Sequence, residues 1–356
     1  MANIALDAAP LVEATGGIAR YTAELSRALA EEFPGDEYWL LSDQPVPAQV
    51  SAPRNLHVGA GPRSRLERKW WLWGVEREMA RLGVEVFHGT DFSVPYLRRR
   101  PSVLTLHDLS PWMKGGWQPN SARVRRRTPL LLHLGIAAMT ITPSEAVRRA
   151  AIERFGLEPN RVAAVPLAAN PSFRPAPAKA SRPYFLFVGT LEPRKNIARL
   201  IEAWRAVRAE CPVDLILAGR VRSDFTPPAP EAGLCLAGAV PEHALAGLYS
   251  GALACVYPSL YEGFGLPVLE AMQCGTLAIT SRDPAIVEVA AGTAIHVDGE
   301  DARALAEAMT AVAREPGKFE ALRERALARS REFTWRRTAR RTREIYDEAR
   351  RRFGAK

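Results

Sequence analysis

Two glutamates, Glu262 and Glu270, are separated by seven residues in the stretch YPSLYEGFGLPVLEAM at 257–272. The apolar run before them predicts a buried strand, Gly263 and Gly265 predict a loop, and a following proline suits the first turn of a helix. Glycine lets a ligand approach the backbone, and the N–H groups at a helix start favour an anion. Since carboxylates accept hydrogen bonds from hydroxyls, the stretch predicts a site for a nucleotide sugar.

Each glutamate also has an ordinary explanation when it is taken alone. Glu262 suits a solvated loop, and Glu270 suits the first turns of a helix, where acidic side chains are favoured by the dipole. The whole stretch, however, closely resembles the signature of the retaining glycosyltransferases of family 4, which have the GT-B fold. The resemblance implies that Glu262 contacts the donor sugar and that Glu270 holds the ribose hydroxyls. It also implies contacts from the amides of Gly263, Phe264 and Gly265 to the sugar and the diphosphate.

A second cluster lies in the stretch GTLEPRKN at 189–196, between an apolar run and a helical pattern. Arg194 and Lys195 suit phosphate oxygens beside a helix start, although two exposed basic residues in a turn would have the same sequence. The resemblance implies that this pair and Gly189 contact the donor diphosphate. Family members commonly have arginine directly after the glycine, where this chain has Thr190. The sequence of this stretch is most similar to that of bacterial mannosyltransferase-like members of the family.

Two strand-like runs in the first half of the chain end in His88 and His107. Ligands bind at the carboxyl ends of the strands in an open parallel sheet, so both histidines are candidates, although a lone histidine is more often structural. The Leu-His-Asp piece at 106–108 resembles the family's acceptor-domain motif, which implies that His107 lies by the donor sugar and the reacting bond. We therefore expect the catalytic residues to be His107, Arg194, Lys195 and Glu262.

Other candidates lie at predicted turns. A glycine pair opens the first helical pattern and suits either the close approach of a phosphate or an ordinary tight turn. The resemblance implies donor contacts at Gly17 and, near the nucleobase, at Val240. The acceptor-binding candidates are Gly16, His88, Asp108 and Ser144. Helix capping explains Ser144 equally well.

The strands and helices that position these residues are expected to form two α/β domains, because 356 residues are too many for one ordinary core. The resemblance implies a GT-B fold, in which two Rossmann-like domains face each other across a cleft. We expect an acceptor-binding domain at 1–170, a proline-rich linker at 171–183 and a nucleotide-sugar-binding domain at 184–335. A last helix at 336–356 is expected to cross back to the first domain. Residues 130–139 predict a largely buried helix.

The chain is basic, with a net charge of +9 and a pI near 9.7. This balance suits nucleic acid, an anionic membrane surface or phosphorylated ligands. Residues 63–82 combine basic residues with three tryptophans, which predicts either a helix at a membrane interface or tryptophans packed in the domain. No spanning apolar run or secretion signal is found, so we expect a cytoplasmic protein, with contact to the inner membrane face left open. The four cysteines lack metal-ligand spacing.

The predicted function is the retaining transfer of a sugar from a nucleoside diphosphate sugar to a saccharide or lipid-linked acceptor in bacterial polysaccharide or lipopolysaccharide synthesis. The resemblance of the motif sequences to mannosyltransferase-like members suggests a GDP-mannose type of donor. No acidic metal site stands out, so no metal and no cofactor are expected. The alternatives are another GT-B enzyme, such as a nucleotide-sugar epimerase or a phosphorylase, and a nucleic-acid-binding protein. The last lacks the aromatic motifs of RNA modules, and we expect no nucleic-acid partner.

Overall fold

The computed structural model describes residues 2–12, 16–47, 53–113, 117–118, 121–177 and 182–354, and the chain divides into two compact units. The first unit comprises Met1–Leu167 and Thr334–Lys356, and the second comprises Ala168–Phe333. The linker predicted at 171–183 therefore falls within the second unit, and its residues 178–181 lie outside the described part.

Seven parallel strands form the sheet of the first unit, in the order β3-β2-β1-β4-β5-β6-β7. These strands are β1 (Asn3–Asp7), β2 (Glu37–Leu41), β3 (Leu56–Val58), β4 (Val86–Gly89), β5 (Ser102–Thr105), β6 (Met139–Thr142) and β7 (Val162–Ala164). The connecting helices are α1 (Ala9–Val12), α2 (Gly17–Glu32), α3 (Val75–Leu82), α4 (Ala122–His133) and α5 (Glu145–Phe155). The central strands are buried on both faces, which explains why they are short continuous apolar runs. The strand order reverses between β1 and β4.

Six parallel strands form the sheet of the second unit, in the order β10-β9-β8-β11-β12-β13. They are β8 (Tyr184–Val188), β9 (Asp214–Ala218), β10 (Leu234–Gly238), β11 (Ala254–Tyr257), β12 (Ala278–Ser281) and β13 (Ile295–Val297). The helices are α6 (Ile197–Glu210), α7 (Glu242–Gly251), α8 (Leu266–Gln273), α9 (Pro284–Ala290), α10 (Ala302–Arg314) and α11 (Glu320–Ser330). Here the order reverses between β8 and β11, so ligands are expected at the carboxyl ends of these two strands.

The last helix, α12 (Trp335–Gly354), belongs to the first unit, where it packs against α2. Its buried stripe includes Ile345 and Tyr346. Arginines on its exposed side pair with acidic residues of the same unit: Arg336 and Arg340 with Glu32, and Arg343 with Asp36. The helix thereby covers one face of the first sheet with few uncompensated charges.

The buried helix predicted at 130–139 is wrong. Helix α4 ends at His133, a turn with Gly135 at φ 62° follows, and β6 begins at Met139. Leu130 and Leu134 are 57% and 62% exposed. Their apolar character suggested burial, but the glycine turn ends the helix before the next buried strand.

The tryptophan-rich segment at 63–82 is not one continuous amphipathic helix. A π-helical turn at Trp70–Gly74 leads directly into α3. Trp70 is 4% exposed, and Trp71 is half-buried with its ring edge-on to that of Phe87. The tryptophans therefore pack on the first unit. No helix in the described part of the chain has the length and apolar surface that a bilayer-spanning segment needs.

Candidate functional site

In the second unit, the predicted basic pair and Glu262 meet at the switch point of the sheet. Arg194 and Lys195 lie in a 3₁₀ turn after β8, and Glu262 lies in the loop after β11. Asn196, with φ 58°, ends this turn, and its side-chain amide donates to the carbonyl of Gly299 at 2.6 Å. This left-handed residue and its tertiary hydrogen bond fix where the basic pair points.

The Glu262 carboxylate binds both cations. Lys195 Nζ donates to Glu262 Oε1 at 2.5 Å, and Arg194 Nη1 donates to Glu262 Oε2 at 3.0 Å. Ser259 Oγ donates to Oε1 at 2.5 Å, and Lys195 Nζ also donates to the Tyr257 hydroxyl. Glu262 is therefore not the solvated loop residue that its sequence position also allowed.

The charge of Glu262 is held by its neighbours. Burial alone would raise the pKa of this carboxyl, but Arg194 and Lys195 outweigh burial and hold the pKa at about 2. Its backbone amide donates to Asp283 Oδ2 at 3.1 Å, so the loop is fixed as well as the side chain. The site thus presents an ionised carboxylate and two cations within a buried cluster.

Glu270 lies on α8 and is 2% exposed. The Tyr249 hydroxyl donates to Glu270 Oε2 at 2.9 Å. Because Glu270 lies beyond the first turn of α8, and its carboxylate is buried, a general preference for acidic residues at helix starts does not account for it.

The loop between the two glutamates prepares the start of α8 for an anion. Gly265 precedes the helix with φ 95°, a left-handed conformation that favours glycine. No described residue accepts a hydrogen bond from the backbone amides of Phe264, Gly265 and Leu266. The Phe264 side chain is buried and lies edge-on to Phe333, so this residue offers a ligand only its backbone.

Gly189 and Val240 lie in loops of the same unit. Gly189 follows β8 with φ 148°, and its carbonyl oxygen would lie 1.9 Å from a Cβ at Gly219. Val240 is half-buried and lies between β10 and α7. Both loops follow the carboxyl ends of strands, where a ligand is expected.

The sequence prediction missed two charged residues that touch the basic pair. Glu192 is 5% exposed, and Arg194 Nε lies 2.7 Å from its Oε1. Arg222, in the loop after β9, donates to Glu192 Oε2 at 2.6 Å. Glu192 stands in the quoted GTLEPRKN stretch, but its spacing gave no sign of a second arginine from a distant loop.

In the first unit, His107 and two aspartates lie at the carboxyl ends of β1, β4 and β5. His107 Nε2 donates to the Thr90 carbonyl at 2.7 Å, so the neutral ring carries its lone pair on Nδ1. Burial lowers the pKa of His107, and Asp91 opposes that effect. Burial raises the pKa of Asp7 to about 7, and the charge of Asp91 adds to this rise. A polar, titratable group therefore marks the switch point of this unit too.

His88 is a structural residue rather than the acceptor contact that was predicted. It is fully buried, and its nitrogens lie 2.7 Å from the Tyr346 hydroxyl and from Thr105 Oγ1. Because both nitrogens are occupied inside the unit, the side chain faces no ligand. Burial lowers the pKa of His88 to about 3, so the ring is neutral.

Three more acceptor candidates have local roles in the structure. Ser144 is fully buried and caps α5 by accepting from the Val147 amide at 3.2 Å. Asp108 accepts from the backbone amide and hydroxyl of Ser110 at 2.9 and 2.7 Å. Gly16, with φ 107°, precedes α2, which begins at Gly17, and a Cβ at either glycine would meet no atom of a described residue within 4 Å.

Within the described ranges, no group of three or more histidine, cysteine, aspartate and glutamate side chains is arranged to hold a metal ion. Two of the four cysteines, Cys255 and Cys274, are buried, whereas Cys235 is exposed and Cys211 is half-buried.

Two family models match the chain. The model described as "Glycosyltransferase Family 4" matches residues 15–173, and the model described as "Glycosyl transferases group 1" matches residues 170–329. The second range contains every residue of the charged cluster described above.

Curated and solved proteins agree with this match. The O-antigen chain mannosyltransferase B of Escherichia coli is 30% identical over 270 residues, which cover 70% of this chain and 71% of that protein. A sucrose-phosphate synthase from Thermosynechococcus elongatus has a TM-score of 0.74 at 21% identity, with all of both chains covered. Anabaena Alr3699/HepE, solved with UDP and glucose, has a TM-score of 0.72 at 18% identity, covering 98% of this chain and 100% of that one. These likenesses show the GT-B fold, with two Rossmann-like domains.

Proposed function

Because the chain belongs to the glycosyltransferases of family 4 and group 1 and is a transferase, we propose that it moves a mannose-type hexose from a nucleoside diphosphate sugar to a saccharide or lipid-linked acceptor. The observation that carries the proposal is the buried set of Glu262, Arg194 and Lys195 beside the start of α8. The proposed setting is bacterial polysaccharide or lipopolysaccharide assembly, by analogy with the Escherichia coli mannosyltransferase.

The donor would lie on the second unit. Arg194, Lys195 and the amides of Phe264 and Gly265 supply positive charge and donors for the diphosphate, which gains charge as the sugar departs. Glu262 would accept hydrogen bonds from the sugar hydroxyls, and Glu270 those of the ribose. The same cations would stabilise the leaving group, and we propose transfer with retention at the anomeric carbon, without a metal ion or cofactor.

The acceptor would contact the first unit at the carboxyl ends of β1, β4 and β5. His107 is the predicted catalytic residue there, and the structure adds Asp91 beside it as a group that hydroxyls can bind. Asp91 precedes Phe92, whose φ of 53° is supported by a hydrogen bond from Thr128 Oγ1 to its carbonyl at 2.8 Å. We do not include His88 or Ser144, because their polar atoms are used inside the unit.

A panel of GDP- and UDP-linked hexoses tests the donor and the reaction. The purified protein, given each donor with a lipid-linked or oligosaccharide acceptor, should transfer from a GDP-hexose and keep the anomeric configuration. Activity should persist in a chelator. An inverted product would contradict retention, and a loss in chelator that manganese restores would contradict metal independence. Preference for a UDP-sugar would overturn the donor base alone. Turnover of the nucleotide sugar without an acceptor would favour an epimerase.

We also propose that the first unit binds the anionic inner face of the bacterial membrane. Arginines of α12 form ion pairs. In contrast, several exposed basic residues of the first unit make no ion pair with a described residue: Arg63, Arg65, Arg68, Lys69, Arg98, Arg123 and Arg126. Leu130 and Leu134 continue the exposed side of α4 that carries Arg123 and Arg126. Arg127 joins α4 to the tryptophan segment, since its guanidinium lies 5.4 Å from the centre of the Trp71 ring. Unpaired cations beside exposed leucines suit a bilayer of anionic lipids.

Vesicle sedimentation tests this contact. The protein should bind vesicles that contain phosphatidylglycerol and not neutral ones, and binding should weaken with salt. Replacing Leu130 and Leu134 by serine should reduce binding, whereas an Arg303→Gln variant, in an exposed ion pair on α10, should not. Equal binding of the leucine variant would contradict the proposed surface.

A further inference from the structure

Glu192 joins two arginines that come from different loops of the second unit. Its Oε1 lies 2.7 Å from Arg194 Nε, and its Oε2 accepts from Arg222 Nη1 at 2.6 Å. The glutamate side chain is 7% exposed and the two arginine side chains are 13% and 20% exposed, so water screens these contacts little. Neither Glu192 nor Arg222 has a role in the function proposed above.

These contacts extend the donor site into a line of six side chains with alternating charge. From its exposed end to its buried end, the line consists of Asp224, Arg222, Glu192, Arg194, Glu262 and Lys195. Each inner member contacts an opposite charge on both sides. Arg194 is therefore held between two carboxylates, Glu192 and Glu262.

The backbone locks together the two loops that carry this line. The Leu191 amide donates to the Arg220 carbonyl at 2.8 Å, and the Arg222 amide donates to the Leu191 carbonyl at 3.1 Å. A Cβ at Gly219 would lie 1.9 Å from the Gly189 carbonyl oxygen, so only glycine allows the loops this close. The separation between Glu192 and Arg222 is thus set by the fold.

We propose that Glu192 and Arg222 are positioning residues for the donor diphosphate, acting through Arg194. The proposal rests on the function proposed above, in which Arg194 binds the diphosphate. Glu192 holds Arg194 by an ion pair, in which Nε lies 2.7 Å from Glu192 Oε1, while Nη1 donates to Glu262 and to the Tyr261 carbonyl, 2.8 Å away. Arg222 holds Glu192 in place through the hydrogen bond to its Oε2 at 2.6 Å. Two more charged side chains thereby determine the direction of the guanidinium that meets the phosphate.

Positioning and simple charge predict opposite results for Glu192→Gln. The substitution removes one negative charge near the site, so a purely electrostatic effect would tighten the binding of an anion. If Glu192 positions Arg194, its loss frees the guanidinium to turn, and binding weakens although the site has become more positive. The sign of the change in affinity therefore separates the two explanations.

The experiment is calorimetric titration of GDP and UDP into the full-length protein and its variants. Glu192→Gln should weaken the nucleotide that the wild type prefers by about tenfold. Glu192→Asp, which keeps the charge, should recover part of that loss. Arg222→Gln should weaken binding in the same direction, and the double variant should lose less than the sum of the two single losses. In the transfer assay, Glu192→Gln should raise the donor KM more than it lowers kcat.

Glu231→Gln is the matched control, because Glu231 pairs with Arg205 at 2.7 Å on the surface of the same unit. It should leave nucleotide affinity unchanged, and thermal unfolding should show that each variant is folded. If Glu192→Gln does not fold, Glu192→Asp carries the test, because it keeps the charge and a loss of affinity then reflects the position of the carboxylate alone. Equal or tighter binding by the folded positioning variants would overturn this inference, whereas a wild type that binds neither nucleotide would overturn the proposed function itself.

Discussion

At the scale of single residues, Glu262 shows why a buried carboxylate can stay ionised. Burial disfavours the charged form of this carboxyl, whereas two cations and the Ser259 hydroxyl stabilise it. Such a group contributes to stability only while it is ionised in the folded state. A pH series can therefore measure how strongly the cluster holds Glu262.

Glu262→Gln should cost stability at neutral pH and less in acid. The folded pKa of about 2 lies below the ordinary value of 4.5, so the contribution of the charge is present above pH 4.5 and is lost as the pH falls toward 2. The expected loss at pH 7 is on the order of 3 kcal/mol. Denaturant unfolding at pH 7 and pH 3 measures it, with the exposed Glu300→Gln as control. A loss of equal size at both pH values would contradict the assigned ion pairs.

At the scale of elements, glycines decide how closely the loops of the second unit approach. Gly219 lies against the backbone of Gly189, whereas Gly247, within α7, has no atom of a described residue within 4 Å of an added Cβ. The two glycines therefore predict opposite responses to alanine.

Gly219→Ala should lower the free energy of unfolding by about 2 kcal/mol or more, because the added methyl meets a backbone oxygen that cannot move freely. It should also weaken nucleotide binding, since it separates the loops that carry Arg194 and Arg222. Gly247→Ala should be neutral or stabilising by roughly 0.5–1 kcal/mol, as expected within a helix. Denaturant unfolding of both variants tests this, and an unchanged stability in Gly219→Ala would contradict the close approach.

Helix α12 is tied to the first sheet through a buried polar network. Tyr346 contacts His88, His88 contacts Thr105, and Thr105 Oγ1 lies 2.9 Å from the Tyr21 hydroxyl. Tyr346→Phe should cost about 1–3 kcal/mol, because it leaves a buried imidazole nitrogen without a partner. Denaturant unfolding measures the loss, and nucleotide affinity should not change. A stability within 0.5 kcal/mol or so of the wild type would show that the network contributes little.

Much of the fold could be predicted from the sequence, because parallel strands buried on both faces are short apolar runs between turn signals. The buried strand predicted before the loop of Glu262 is confirmed as β11, and a helix with proline in its first turn follows that loop as α8. The prediction failed where apolar residues are exposed to solvent, as Leu130 and Leu134 are. In the site, the sequence named Arg194, Lys195 and Glu262 as candidates, and the structure brings these three side chains into contact. The sequence prediction missed Arg222, because its contact with Glu192 joins residues 30 positions apart.

The roles assigned to His88 and Ser144 show the limit of placement as an argument. Both lie at the carboxyl edge of the first sheet, where ligands bind in such folds. Burial and hydrogen bonds to Tyr346 and to the α5 backbone nevertheless use up their polar atoms. Strand-end position indicates where to look, and only the three-dimensional partners show which side chains remain available.

At the scale of the whole molecule, the net charge of +9 is unevenly compensated. Arginines of α12 are matched by acids from the rest of the first unit, as in the pair of Arg350 and Glu85. In and near the tryptophan segment, Arg77 and Arg81 pair with Glu67, whereas the exposed basic residues named for the proposed membrane surface have no such partners among the described residues. Part of the excess charge therefore lies in one region of the first unit, which is the region proposed above to contact an anionic membrane surface.

The two units share a topology but differ in what lies at their switch points. The second presents cations, an ionised glutamate and helix amides, which suit a diphosphate. The first presents His107 with Asp7 and Asp91, which suit hydroxyl groups. This division matches the proposed placement of donor and acceptor, one on each unit.

The most direct test of the proposed donor site is the affinity of the folded protein for the donor nucleotide after single substitutions of Lys195, proposed to bind the diphosphate, and of Glu270, proposed to bind the ribose. Titration calorimetry with GDP and UDP should show that Lys195→Ala and Glu270→Ala each weaken binding at least tenfold and abolish most sugar transfer, while thermal unfolding confirms a folded protein. If both folded variants bind nucleotide and transfer sugar as well as the wild type does, the assignment of the donor site to this cluster is wrong.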